Sequence, residues 1–158
     1  MTATVVSVDV DRSAAQVFAF ATDPTRFSQW QSGVVSGHLE PAPDTGADPI
    51  PPGVGARCVT TRRIASADRT STAVITHVDP PHTWGVRGID GPIRATVDVA
   101  VEPLDPRRSR LTVSVDFAGH GIGRVLVPLV VRRQARAEMP GNLAALKRAV
   151  EAPGSGLG

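Results

Sequence analysis

Two stretches of strict alternation dominate the pattern of apolar and polar positions. Ile93, Ala95, Val97, Val99 and Val101 alternate with Arg94, Thr96, Asp98, Ala100 and Glu102. Leu111, Val113, Val115 and Phe117 alternate with Thr112, Ser114, Asp116 and Ala118. Period two means strands with one face buried and one in water, which favours antiparallel pairing. Asp105-Pro106-Arg107-Arg108 makes the hairpin connection between them. Residues 4–10 alternate in the same way, with Val6, Val8 and Val10 on one face. Ser13 is placed to cap a helix over AAQVFAFATD, and Asp23-Pro24 ends it or starts a second short one through Phe27 to Trp30. Residues 34–39, 56–65, 70–78 and 83–88 have the β-branched content of further strands, with a polar hairpin around Ala67-Asp68 and a turn at Asp79-Pro80-Pro81. Residues 41–55, with five prolines and three glycines, predict a loop, a lid or more simply a surface insertion.

Beyond the last strand the period changes. Met139, Leu143, Leu146 and Val150 recur at helical spacing, and the apolar residues 122–131 lead into Arg132, Arg133 and Arg136. A proline removes a backbone donor and crowds the preceding turn, so Pro128 and Pro140 are each expected to bend or break this helix. The part beyond Pro140 then reads as a clamp on the sheet, and the part before it as a jointed lid. A sheet with one apolar face must cover it, and only the terminal helix is long enough. The predicted class is α+β: a curved antiparallel sheet of about six to seven strands wrapped around a long C-terminal helix, with two short helices after the first strand. Residues 1–152 form a single domain, and 153–158 a flexible tail.

Composition narrows the functions. Of 158 residues, 41% are hydrophobic, enough for a real core, and the net charge is only +2. No basic stripe carries interleaved aromatics, which argues against nucleic acid. The single cysteine, Cys58, excludes an internal disulfide. The N-terminus lacks the features of a signal peptide, and no apolar run reaches the ~20 residues of a spanning helix. The expectation is a cytoplasmic protein with no stable membrane insertion. The four histidines and one cysteine show no metal-ligand spacing, so neither metal nor cofactor is expected. Gly119-His120-Gly121-Ile122-Gly123-Arg124 has arginine in the third-glycine place and no following strand, which leaves it short of a dinucleotide fingerprint.

The run VFAFATDPTRFSQW at 17–30, Gly53-Val54-Gly55-Ala56-Arg57, the turn Val78-Asp79-Pro80-Pro81 and the ending MPGNLAALKRAVE at 139–151 stand in an order and spacing that resemble the START-like (SRPBCC) superfamily. More narrowly, the chain looks like its polyketide cyclase/dehydrase and lipid transport branch. The likeness covers residues 4–151, and it implies the helix-grip fold with a deep apolar cavity between sheet and helix. Because such folds host binders, transporters, cyclases and hydrolases, chemistry has to be read from the residues.

Trp84, Val97, Val99, Val101, Val113, Val115 and Phe117 are the candidate ligand-binding set on the sheet, with Leu126, Val130 and Arg133 on the helix as roof and gate. A close-packed valine core is the competing reading of the same residues. Polar candidates are few. The strand at 56–65 turns inward either Thr60 and Arg62 with Cys58, or Thr61 and Arg63 with Val59, and His77 is similarly open. Arg62 and His77 are the candidate catalytic residues. Two functions follow: binding or transport of a small hydrophobic or amphipathic ligand, lipid or polyketide-like, or a cyclase/aromatase that uses the polar cavity residues. A third reading is a homodimer or partner surface made by the helix and the Pro-rich loop.

Overall fold

The computed structural model describes residues 3–41, 53–64 and 66–153, with the backbone alone at 126 and 129. The Pro-rich loop, apart from its ends, and residues 154–158 of the tail lie outside the described residues. Seven antiparallel strands form one curved sheet: β1 (Thr4–Val10), β2 (Val34–Glu40), β3 (Arg57–Ile64), β4 (Ala67–Asp79), β5 (Thr83–Gly88), β6 (Ile93–Asp105) and β7 (Arg108–Gly119). Their order across the sheet is β1-β7-β6-β5-β4-β3-β2. The alternating strands pair as their patterns require, with Val97 opposite Val115, Val99 opposite Val113 and Val101 opposite Leu111. The β3–β4 hairpin turns at Ser66 (φ 65°), tighter than a turn around Ala67-Asp68, so Ile64 and Ala67 already pair.

Helix α1 (Ala14–Ala21) starts at Ser13, whose Oγ accepts from the Gln16 N–H (3.3 Å) while the Gln16 side chain accepts from the Ser13 N–H (3.3 Å). This reciprocal box satisfies two donors that a helix start otherwise leaves open. A 3₁₀ turn (Pro24–Gln29) follows and lies on the inner face of β2, where Gly37 leaves room for the Pro24 carbonyl.

The C-terminal helical run comprises α2 (Gly123–Leu126), a π turn (Val127–Val131) and α3 (Arg132–Glu151). The sequence expectation about proline is half corrected. Pro128 lies inside the π turn, where the helix widens around a missing donor. Pro140 sits in the interior of α3 without ending it. Pro140 and Arg136 are both exposed, so the carbonyl deprived of its partner faces water. Pro140 therefore does not break the helix, and the change of helical geometry lies at Pro128.

Met139, Leu143, Leu146 and Val150 are buried and form one core with Val10, Phe20, Val99, Val101, Leu111 and Val113. The end of α3 is tied to β1 by polar bonds. Glu151 Oε2 accepts from the Asp11 N–H (2.7 Å) and from Lys147 Nζ (2.6 Å), and Lys147 also donates to the Asp9 carbonyl (2.9 Å). Burial pushes the Glu151 carboxyl up, but these donors outweigh it and hold it below its ordinary value of 4.5. A depressed carboxyl contributes stability above its unfolded value, and that stability is lost as pH falls through the folded one. Glu151→Gln is accordingly expected to lower the thermal transition at neutral pH. The difference from wild type should shrink to nothing as the pH falls below 4.5 in a melting series.

Candidate functional site

Arg62 marks the site, because its place on β3 decides which face of that strand meets the helix. Cys58 is in the core and Val34, which pairs with Arg62, is buried there too, so Cys58, Thr60 and Arg62 share the inner face. Of the two phases open in the sequence, this is the first. The Cys58 thiol, pushed up to about 12 by burial, is an inert packing group. Arg62 reaches past it to the rim, donating to Gln31 Oε1 (3.0 Å) and the Ser32 carbonyl (3.3 Å). Burial lowers the Arg62 pKa, and the Glu138 carboxylate on α3 pulls it back up. A guanidinium stays charged under such a shift, so a partly desolvated cation faces α3 with donors to spare.

Residues 28–34 and α3 flank an open groove of about 520 Å³, which Arg62 does not line itself but borders through its bonds to Gln31 and Ser32. Trp30, Gln31 and Ser32 line one side, and Glu138, Gly141 and Asn142 the other. Asn142 Oδ1 accepts from the Ser32 N–H (3.1 Å) and closes the seam between the two walls. Trp30 is buried, in edge contact with Phe27 (ring centroids 5.9 Å apart), which in turn meets Trp84 (6.4 Å). The Trp30 Nε1–H is buried and has no hydrogen-bond partner among the described residues. Leaving such a donor unmet costs about 1–3 kcal/mol.

The other sequence candidates are distributed differently. Val99, Val101, Val113 and Trp84 are buried in the close-packed core, with Val97 and Val115 partly buried against it. Space left by valine on the sheet is taken up by Phe18 and Phe20 of α1 and by the leucines of α3. Phe117 is half-buried, and its carbonyl accepts from Arg132 (3.1 Å). Val130 and Arg133 are exposed, and the Leu126 side chain lies outside the described residues. None of these residues with a described side chain is among those that line the groove.

His77 is corrected outright as a cavity group. A bulge between Ile75 and His77 shifts the phase of β4 and puts its ring on the convex face. There it lies over Gly85, where a Cβ would not fit, and bonds Asp98 (2.7 Å). Arg62 and His77 are thus on opposite faces of the sheet. Sequence reasoning missed Trp30, Asn142 and Glu138 as site residues. A signal existed for Glu138, which is the first acid after Asp116 in an arginine-rich stretch. Among the described residues no His/Cys/Asp/Glu cluster could hold a metal ion, and no helix is long and apolar enough to cross a membrane.

Comparison with known proteins agrees with this architecture. Residues 1–151 match the family model described as polyketide cyclase/dehydrase and lipid transport. No curated protein matches the sequence. Among solved structures, a START superfamily protein from Mycobacterium smegmatis superposes with a TM-score of 0.73 at 16% identity, covering 94% of this chain and 97% of that one. The Zhui aromatase/cyclase from Streptomyces sp. R1128 gives 0.69 at 17% identity, covering 97% and 98%. The di-domain ARO/CYC BexL from the BE-7585A biosynthetic pathway gives 0.67 at 17% identity, covering 96% of this chain and 50% of that one. At such identities the likeness shows the START-like, helix-grip fold alone.

Proposed function

The chain belongs to the polyketide cyclase/dehydrase and lipid transport family, and on that premise we propose that it binds a small amphipathic molecule, lipid- or polyketide-like, in the opening between residues 28–34 and α3. The observation that carries the reading is the partly desolvated Arg62, bonded to two residues of the wall with guanidinium donors left over. A planar cation in such a place suits a carboxylate, phenolate or enolate head, which it can meet with two parallel bonds. The aromatic edge of Trp30 takes the apolar part, and its indole N–H takes an acceptor. Native mass spectrometry of freshly purified protein is expected to show a retained small molecule that denaturation releases. A chain that carries nothing and takes up no aromatic carboxylate would contradict the reading.

A cyclase is the second reading, and the Glu138 carboxylate on the far wall of the groove, near enough to raise the Arg62 pKa, favours it. Arg62 would stabilise an enolate while the Glu138 carboxylate moves the proton. His77, on the other face, has no part in it. The two readings separate on turnover: a binder returns a linear poly-β-ketone unchanged, whereas a cyclase returns it closed into a ring with loss of water.

A further inference from the structure

At the end of the sheet where β5 stops and β6 begins, positive charge and exposed apolar surface coincide. Residues 118–137 hold four arginines and a histidine but no acidic residue, on a chain whose net charge is only +2. Ile122, Val125 and Val130 are 69%, 57% and 50% exposed in the same run. Next to it a pocket of about 300 Å³ is lined by Arg87, Arg94 and His120 with Gly88, Ile89 and Ala118. The pocket and the run are joined through the backbone. The Pro92 carbonyl accepts from the His120 N–H (2.8 Å), and the His120 carbonyl accepts from the Gly123 N–H (3.0 Å). Gly123 has no Cβ to keep the Pro92 carbonyl away.

Elsewhere Arg63, Arg108 and Arg110 are matched by Asp68, Asp11 and Asp9. Here Arg87, Arg94 and Arg124, and further along the run Arg133 and Arg136, pair with no carboxylate among the described residues. The nearby acids are engaged: Asp90 accepts from the Thr72 N–H (3.0 Å) and Asp116 pairs with Arg132 (3.4 Å). Unmatched cations beside exposed aliphatic side chains call for a partner that is anionic and apolar at once. A second copy of this face would set like charge against like. A nucleic-acid strand would find no aromatic ring in residues 118–137 to stack on.

We propose that this end of the protein docks peripherally on an anionic lipid bilayer. Ile122, Val125 and Val130 enter the headgroup–acyl boundary, and the Arg87/Arg94/His120 pocket receives a lipid phosphate. No described helix is long and apolar enough to span. The docking is independent of what occupies the opening at Arg62, so either can fail without the other.

Co-sedimentation of the full chain with vesicles tests it. The chain is expected to bind phosphatidylcholine vesicles containing about one-third phosphatidylglycerol, to leave them at high salt, and to ignore phosphatidylcholine alone. The doubles Ile122→Asp/Val125→Asp and Arg87→Glu/Arg94→Glu should each weaken binding about tenfold or more, with thermal transitions near that of wild type. Equal binding to both vesicle types, none to either, or binding that neither double changes would overturn the proposal. So would an effect of the arginine double alone, which indicates a site for free phosphate, or loss of self-association in light scattering without loss of vesicle binding.

Discussion

Leu146→Ala is expected to lower stability by about 3 kcal/mol, within the range for removing a buried leucine side chain. Leu146 is fully buried, between Leu143 and Val150 on the face of α3 that closes the core against Val10 and Leu111. Truncation removes the transfer gain of the lost carbons and leaves a hole. A well-packed helix and sheet on either side can collapse into it only in part. For a chain of this size, that is a fall in the thermal transition of roughly 6–12 °C. Arg148→Ala, on the exposed side of the same helix, should move the transition by no more than about 0.5 kcal/mol's worth. If both variants melt alike, the terminal helix is not the element that holds the sheet's inner face.

Arg62→Ala is expected to weaken binding of 2-naphthoate about tenfold to a hundredfold, the range for one charged hydrogen-bonding partner. Binding of the neutral 2-naphthamide should fall far less, because it has no negative charge to lose a partner. Arg62→Lys should not restore the difference, since a point charge on a flexible stem cannot make the two parallel bonds of a guanidinium. Stability should change little: the groups Arg62 bonds, Gln31 and the Ser32 carbonyl, sit at the rim where water can replace it. Equal losses for acid and amide would mean that Arg62 shapes the opening without recognising charge.

The strands that frame the core were legible because their two faces differ. On β6 and β7 every other residue is aliphatic, so one register alone buries the valines. The clamp of α3 was legible for the same reason at helical period. β3 was not, because Cys58, Thr60 and Arg62 on one face resemble Val59, Thr61 and Arg63 on the other. The choice is made by cross-strand partners that local pattern does not show. At His77 a single extra residue in the bulge reversed a phase that period two would have carried on from Ile75. The valines of β6 and β7 read equally as cavity lining or as core, and only the position of α1 and α3 makes Val99, Val101 and Val113 core. The opening at Arg62 rests on contacts such as Ser32 with Asn142, which no periodicity announces.

The central claim, that a ligand's polar head is held between Arg62 and Trp30, is tested most directly by the two indole N–H resonances of the protein in a ¹⁵N NMR titration with 2-naphthoate. The chain has only two tryptophans, and Trp30→Phe assigns the signals. The Trp30 Nε1–H, buried and unpartnered without ligand, should move downfield as it gains an acceptor, while the Trp84 signal moves much less. The shift should be lost or greatly reduced in Arg62→Ala at the same naphthoate concentration. A Trp30 signal that stays in place while naphthoate binds, or one that moves identically without Arg62, would contradict the account.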